Sequence, residues 1–116
     1  MIEIINKFGK IEITNEAISA ICSKEVSEAY GIVGLGKRGA NGILEIFRNE
    51  HTGKGVKVSH DEKGIILEVY IVVEYGVNLK TVSQNLIEKL KYSIEKLTGI
   101  NVSDVIVNIQ SIKVEL

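Results

Sequence analysis

The fold is decided by the stretch Ile65-Ile66-Leu67-Glu68-Val69-Tyr70-Ile71-Val72-Val73-Glu74-Tyr75, which Gly76 ends. Its β-branched and aromatic residues, broken by few polar ones, predict a long and largely buried strand. Successive side chains of a strand point to opposite faces of its sheet. One of the two alternating sets is purely apolar, and we expect it to face the core: Leu67, Val69, Ile71 and Val73. The other set places Ile66, Tyr70 and Val72 on the opposite face.

The segments that flank this strand predict a hairpin before it and a helix after it. Val56 and Val58 alternate into residues 61–64, whose composition suits a tight turn. Asn78 can cap a helix that Gly99 would end in the left-handed conformation. Apolar residues recur in that helix every three or four positions: Leu79, Val82, Leu86, Leu90, Ile94 and Leu97. A last strand follows over residues 102–109, where apolar residues alternate again.

The first thirty residues predict strand character followed by a second amphipathic helix. Isoleucines alternate with polar residues on both sides of residues 7–10, and Thr14 offers an N-cap. Apolar residues then follow helical spacing up to Gly31: Ile18, Ile21, Cys22, Val26 and Ala29. Cys22 lies on this apolar side of the helix, which favours a buried, reduced thiol over a reactive one.

Residues 31–55 contain seven glycines, so we expect a glycine-rich loop with at most a short helix. The resulting order is β-α-β-β-α-β in one domain over residues 1–116, of the α+β class. Right-handed crossovers would pack both amphipathic helices on one face of a single mixed sheet. The other face would stay open. There Tyr70 and Val72, joined by Ile106 of the neighbouring parallel strand, predict a surface for association.

The glycine-rich loop also carries two motifs that resemble nucleotide-binding sequences. Residues 31–38 fit GxxxxGK, except that Arg38 stands where a P-loop needs Ser or Thr for magnesium. Residues 34–39 fit GxGxxG, with Asp61 in the place of a ribose-binding acid. Both motifs require a strand before the loop, and a helix is predicted there instead. A small nucleotide- or phosphate-binding protein that uses residues 31–39 is therefore the alternative function.

The remaining polar residues predict no catalytic, cofactor or metal site. His51 and His60 have no ligand spacing typical of a tetrahedral metal site and no paired cysteines. A Gly-x-Ser-x-Gly motif is absent, and the cysteine is expected to be buried. We therefore expect a protein that is not an enzyme.

Composition limits the partners and the compartment. The 14 basic and 15 acidic side chains give a net charge of −1, which offers no excess positive field for nucleic acid. The N-terminal residues lack signal-peptide character, and no apolar run reaches the about 18 residues that cross a bilayer. We expect a cytoplasmic protein without direct membrane insertion, whose membrane association depends on a partner.

Three segments resemble the alkaline-shock-protein family, envelope stress-response proteins common in Gram-positive bacteria: residues 9–14, 73–77 and 105–110. The resemblance covers nearly the whole chain. It implies a non-catalytic interaction module that self-associates or docks on a membrane-anchored relative. Residues Glu74, Tyr75 and Gly76 carry it most strongly, and loops at strand ends are common binding positions. Together with Tyr70 and Val72, they are the predicted partner-binding residues.

Overall fold

The computed structural model describes residues 1–47 and 54–114. In chain order, the elements within these residues are β1 (Ile2–Asn6), β2 (Gly9–Ile13), α1 (Asn15–Ser27), β3 (Ile32–Arg38), β4 (Leu44–Phe47), β5 (Val56–Asp61), β6 (Gly64–Glu74), α2 (Leu79–Thr98) and β7 (Val102–Lys113). The predicted α+β class is confirmed.

Strand β6 is the centre of a five-stranded sheet. Strand β7 runs parallel to it from Ile65 to Glu74. The other edge of β6 is shared, since β5 pairs with its first half and β3 with its second half, both antiparallel. Strand β4 pairs with the outer edge of β3, while β1 and β2 form a separate two-stranded sheet. The chain thus departs from a single sheet in β-α-β-β-α-β order by its N-terminal hairpin, which lies in a separate sheet, and by two additional strands, β3 and β4.

The core lies between the sheet and the two helices, on one face of the sheet. The apolar set predicted from β6 is fully buried there: Leu67, Val69, Ile71 and Val73. Helix α1 contributes Ile18, Cys22 and Val26 to the same cluster, and helix α2 contributes Leu86, Leu90 and Ile94. Both helices therefore cover the face that the alternation in β6 predicts.

Three of the four predicted helix boundaries are confirmed by caps, whereas α1 ends at Ser27 and does not reach Gly31. The Oγ1 atom of Thr14 accepts a hydrogen bond of 3.1 Å from the N–H of Ala17, at the start of α1. At the start of α2, Oδ1 of Asn78 accepts one of 3.0 Å from the N–H of Thr81. Gly99 ends α2 with φ of 73°, in the left-handed region that glycine enters without strain.

The prediction of a loop over residues 31–55 is wrong for its first part, which forms strands β3 and β4. Glycine density is typical of loops, but Gly36 has another reason to be in this strand. A Cβ atom there would lie 2.6 Å from Cγ2 of Val72, so the backbone approaches β6 more closely than a side chain allows. The possible short helix is not found within residues 31–47, and the rest of its predicted range, 48–53, lies outside the described residues.

Among the described residues, no helix combines the length and the apolar character required to cross a membrane.

Candidate interaction surface

The face of the sheet opposite the helices carries the second alternating set of β6. Strand β7 extends this open face, because Ile106 lies beside Glu68 and Asn108 lies beside Tyr70 in the parallel register. Ile106 is 41% exposed and Ile66 is partly exposed. The prediction that Ile106 continues the patch from the next parallel strand is confirmed. We call Ile66, Glu68, Tyr70, Ile106 and Asn108 the open-face patch.

Polar side chains at the centre of the open-face patch are held by hydrogen bonds. The hydroxyl of Tyr70 donates to Oε1 of Glu68 at 2.5 Å, and the amide Nδ2 of Asn108 donates to the same oxygen at 3.4 Å. The bond to Glu68 is the main reason that the pKa of Tyr70 is raised, with burial adding to it. Nζ of Lys37 lies 5.6 Å from the centroid of the Tyr70 ring, within cation–π range. Tyr70 therefore stays protonated, with its ring held against the sheet.

Val72 lies on this face of β6, as predicted, but the prediction that it is solvent-facing is wrong. It is only 1% exposed. The position that a Cβ of Gly36 would occupy is 2.6 Å from Cγ2 of Val72 and 3.5 Å from Cδ1 of Leu44. The β3–β4 hairpin therefore covers Val72. Its side chain is covered and cannot contact a partner directly.

Glu74 ends β6, about 13 Å along the strand from Tyr70, and Tyr75 and Gly76 follow it. Their backbone is fixed. The N–H of Glu74 donates to the carbonyl of Gly31 at 2.9 Å, and the N–H of Tyr75 donates to the carbonyl of Lys113 at 3.0 Å. The side chains of Glu74 and Tyr75 are exposed, and Gly76 turns the chain towards α2 with φ of 96°. Tyr75 is thus an exposed aromatic side chain on a rigid support.

A cleft of about 300 Å³ opens beside Gly76, and sequence reasoning missed one of its main residues, Tyr30. Tyr30 is exposed, and the cleft continues along the two residues before α2 and the first turns of that helix: Val77, Asn78, Thr81, Val82 and Asn85. The sequence feature that could have indicated Tyr30 is a lone aromatic residue between the end of a helix and Gly31. The contact between the Gly31 carbonyl and Glu74 and the pairing of Ile32 with Val73 show that it lies near the end of β6.

The nucleotide-binding motifs do not form a phosphate-binding loop. Residues 32–38 are strand β3, which pairs with β6 and β4, and the chain continues from Arg38 into a turn and strand β4. A P-loop instead joins a strand to a helix whose N-terminus faces the phosphates. Lys37 and Arg38 are exposed residues of a strand.

The other polar residues considered from the sequence stay apart. His60 is exposed on β5, and His51 lies outside the described residues. Within residues 1–47 and 54–114, no group of three or more His, Cys, Asp or Glu side chains is placed to hold a metal ion. Cys22 is buried as predicted, and burial is the main cause that raises its pKa to about 12, with Glu25 adding to it.

These features define a class of α+β protein in which two helices cover one face of a mixed sheet and leave the other face open. The same fold occurs in MamM-CTD, whose histidine-to-alanine variant gives a TM-score of 0.51. The match covers 84% of this chain and 98% of that chain at 9% identity, and so it concerns the fold alone.

The chain belongs to the alkaline shock protein 23 family, which is described as having a cell envelope-related function and matches residues 3–114. It is 33% identical over 115 residues to the uncharacterised protein YloU of Bacillus subtilis. That match covers 97% of this chain and 96% of YloU. An uncharacterised Streptococcus pyogenes protein, Spy1614, is 33% identical with 97% and 95% coverage. The B. subtilis protein YqhY is 31% identical, with 90% and 78% coverage. The resemblance to the alkaline-shock-protein family is confirmed.

Proposed function

We propose that this protein is a non-catalytic interaction module with a cell envelope-related function, which associates with itself or with a membrane-anchored protein through the open-face patch. The observation that supports it best is the contrast between the two faces of the sheet. Helices α1 and α2 bury one face, while the other presents Ile66, Tyr70 and Ile106 around a fixed polar centre. The family description adds the link to the cell envelope.

The chemistry of the open-face patch suits a protein partner. Apolar side chains surround a tyrosine whose hydroxyl and ring are already positioned, so little side-chain entropy is lost on binding. Fully burying an exposed isoleucine side chain contributes roughly 1.5 to 3 kcal/mol. Ile106 is 41% exposed and Ile66 is partly buried already, so each contributes a part of that amount, which suits a weak association. The exposed corner of Glu74, Tyr75 and Gly76 extends the proposed contact, and Tyr30 joins it there.

The non-catalytic part of the proposal is supported by the state of the candidate nucleophiles among the described residues. Cys22 is buried with a raised pKa, and the polar groups of the open-face patch bond to each other, so neither provides an activated nucleophile. We infer that the module acts by binding and not by catalysis. We place it in the cytoplasm, where a membrane-anchored partner would recruit it.

Charge placed in the open-face patch should release the partner without unfolding the protein. If the partner is a second copy, we expect Ile106→Lys to lower the mass that analytical ultracentrifugation measures. If the partner is a membrane-anchored protein, a photo-cross-linking residue at position 66 should capture it in the native cell, and Ile106→Lys should abolish that cross-link. Leu97→Lys is the matched control, since Leu97 is an exposed apolar residue on helix α2. Val72 is unsuitable for this test, because a charge at a buried position would damage the fold.

Circular dichroism checks that both variants fold. A wild type that is monomeric at high concentration and gives no cross-link from position 66 would contradict the proposal. Equal effects of Ile106→Lys and Leu97→Lys would contradict it as well.

A further inference from the structure

The hairpin of β3 and β4 continues past the pairing of β3 with β6. Strand β3 pairs with β6 only as far as Leu35, and residues 36–38 pair with β4 alone. The tip, residues 39–43, is well formed. The N–H of Gly39 donates to the carbonyl of Ile43 at 3.0 Å, and Oδ1 of Asn41 accepts from the N–H of Ile43 at 3.0 Å. The tip therefore presents its side chains in a fixed arrangement.

The side chains at this tip are small or aliphatic. Ile43 is 62% exposed, and Ala40 is exposed beside it. A single exposed isoleucine on a flat surface is ordinary. Ile43 lies at the turn of a hairpin that here pairs only with itself, where it is accessible to another surface.

Cationic side chains line a cleft that two residues of the tip, Gly39 and Ala40, also line. Lys37, Arg38 and Lys54 line a cleft of about 460 Å³, in which Glu45 is the one acidic residue. Nη1 of Arg38 donates to the carbonyl of Gly42 at 3.1 Å, which holds the guanidinium at the base of the tip. Among the described residues that line the cleft, three cations lie with one carboxylate, in a chain whose net charge is −1. We call these three cations the basic collar.

We propose that the β3–β4 hairpin docks on the surface of an anionic lipid bilayer. Ile43 would enter the boundary between headgroups and acyl chains, and the basic collar would lie against the lipid phosphates. An aliphatic tip backed by cations is the chemistry of interfacial membrane binding, which combines apolar burial with attraction to anionic lipid. The mode is peripheral and requires no spanning helix. The hairpin adjoins the open-face patch, since Nζ of Lys37 lies 5.6 Å from the ring centroid of Tyr70. The inference does not depend on the function proposed above.

Other occupants fit this arrangement less well. A soluble phosphate compound would use the basic collar but leave Ile43 exposed. A second copy or another protein would bury Ile43, but the cations would then need acidic partners. A bilayer that contains anionic lipid satisfies both groups at once.

The insertion of the tip can be followed with a single tryptophan, because the sequence contains none. We expect the emission of Ile43→Trp to shift to shorter wavelength with phosphatidylglycerol vesicles and to be quenched by brominated acyl chains. Phosphatidylcholine vesicles should give a much smaller shift. The matched control is Leu97→Trp on α2, since Leu97 is 64% exposed and differs from Ile43 mainly in its place on the molecule.

The basic collar is tested by vesicle sedimentation of the full chain. One basic residue near an anionic surface contributes about fivefold to the partition coefficient, equivalent to ~1 kcal/mol. Arg38→Gln, which keeps hydrogen-bond donors at the base of the tip, should lower partitioning into phosphatidylglycerol vesicles by about that factor. Lys96→Gln on α2 should leave it nearly unchanged. Partitioning of wild type should fall as salt is raised.

Several results would overturn the proposal. Wild type that does not sediment with anionic vesicles would do so, as would equal shifts for the tryptophans at positions 43 and 97. If inorganic pyrophosphate alone shifts the emission of Ile43→Trp, the cleft is a site for soluble anions. If raising the protein concentration alone shifts it, the tip contacts a second copy of the chain.

Discussion

At the scale of single residues, burial separates positions that the sequence pattern treats as alike. Leu90 and Leu97 belong to the same apolar stripe on α2, yet Leu90 is fully buried and Leu97 is largely exposed. The stripe predicts which face of the helix meets the sheet, but the sheet covers only the middle of the helix. The two leucines therefore allow burial to be tested with the same substitution in the same element.

We expect Leu90→Ala to lower the free energy of unfolding by about 2 to 5 kcal/mol, because it removes buried methyl groups and leaves a cavity. Leu97→Ala should change it by less than about 0.5 kcal/mol, as is usual for surface positions. Urea denaturation followed by circular dichroism measures both. Similar losses for the two variants would mean that α2 docks on another face.

The raised pKa of Cys22 predicts that the stability of the protein depends on pH. Its pKa in the folded protein is raised from 9.0 to about 12, mainly by burial. The folded state thus holds its thiol proton more tightly than the unfolded state. The stabilisation is complete below pH 9 and is lost as pH rises towards 12.

Above pH 9, we expect wild type to lose stability relative to Cys22→Ala. The difference between their unfolding free energies should change by up to about 1.4 kcal/mol per pH unit. Denaturation at a series of pH values measures it. A difference that is independent of pH would show that the thiol is accessible to solvent in the folded state. Rapid labelling of native protein with a thiol reagent at neutral pH would indicate the same.

At the scale of elements, the sequence predicts what local chemistry controls. The caps at Thr14, Asn78 and Gly99 and the turn at residues 61–64 depend on neighbours within a few positions, and all four are found. Strands β3 and β4 could not be predicted in this way. Their glycines are typical of a loop, and the reason for Gly36 lies in Val72, which is 36 residues away in the sequence.

In the candidate site, too, local patterns predict some residues, while the positions of others depend on contacts between distant segments. The place of Tyr70 and Ile106 on one face follows from alternation and from a parallel neighbour, and the structure confirms it. The burial of Val72 depends on how β3 crosses β6. The position of Tyr30 depends on where two chain segments meet. Neither is encoded in a local pattern.

The β5–β6 hairpin gives a prediction for close packing between strands. A Cβ at Gly64, where φ is 147°, would lie 2.0 Å from the carbonyl oxygen of Asn101, and that oxygen accepts the N–H of Ile65 at 2.8 Å. Gly76 also has a positive φ, 96°, but has no atom within 4 Å of the same position. Comparing the two glycines therefore separates steric clash from backbone strain.

We expect Gly76→Ala to cost about 1 to 2 kcal/mol, the strain of a left-handed backbone for a residue with a side chain. Gly64→Ala should cost more than about 4 kcal/mol, because the start of β7 must move away from β6. Chemical denaturation of both variants tests this. Equal costs would mean that Asn101 shifts easily and that the joint between β6 and β7 is loose.

At the scale of the whole molecule, the protein is elongated, with extents of 58 × 30 × 23 Å. Strand β6 is paired on both edges and covered by helices. The two hairpins, β1–β2 and β3–β4, have far less support. In β1–β2, Ile2 and Ile13 pack against the core, while Ile5, Phe8 and Ile11 are exposed. Stability should therefore fall from the centre of the sheet to the hairpins.

Hydrogen exchange can measure this gradient directly. We expect the amides of residues 65–73 to exchange through global unfolding and thus to be the slowest in the chain. Amides near the turn of β1–β2 should exchange by local opening, faster by several orders of magnitude, because a two-stranded hairpin is only marginally stable by itself. Mass spectrometry of exchanged peptides at low and high protein concentration distinguishes protection by the chain itself from protection by a second copy.

If the amides of residues 5–11 exchange as slowly as those of β6 in dilute protein, the hairpin is supported by its own chain and the predicted gradient of stability is wrong. If their protection appears only at high concentration, Phe8 and its neighbours are covered by a second copy, and self-association then extends beyond the open-face patch.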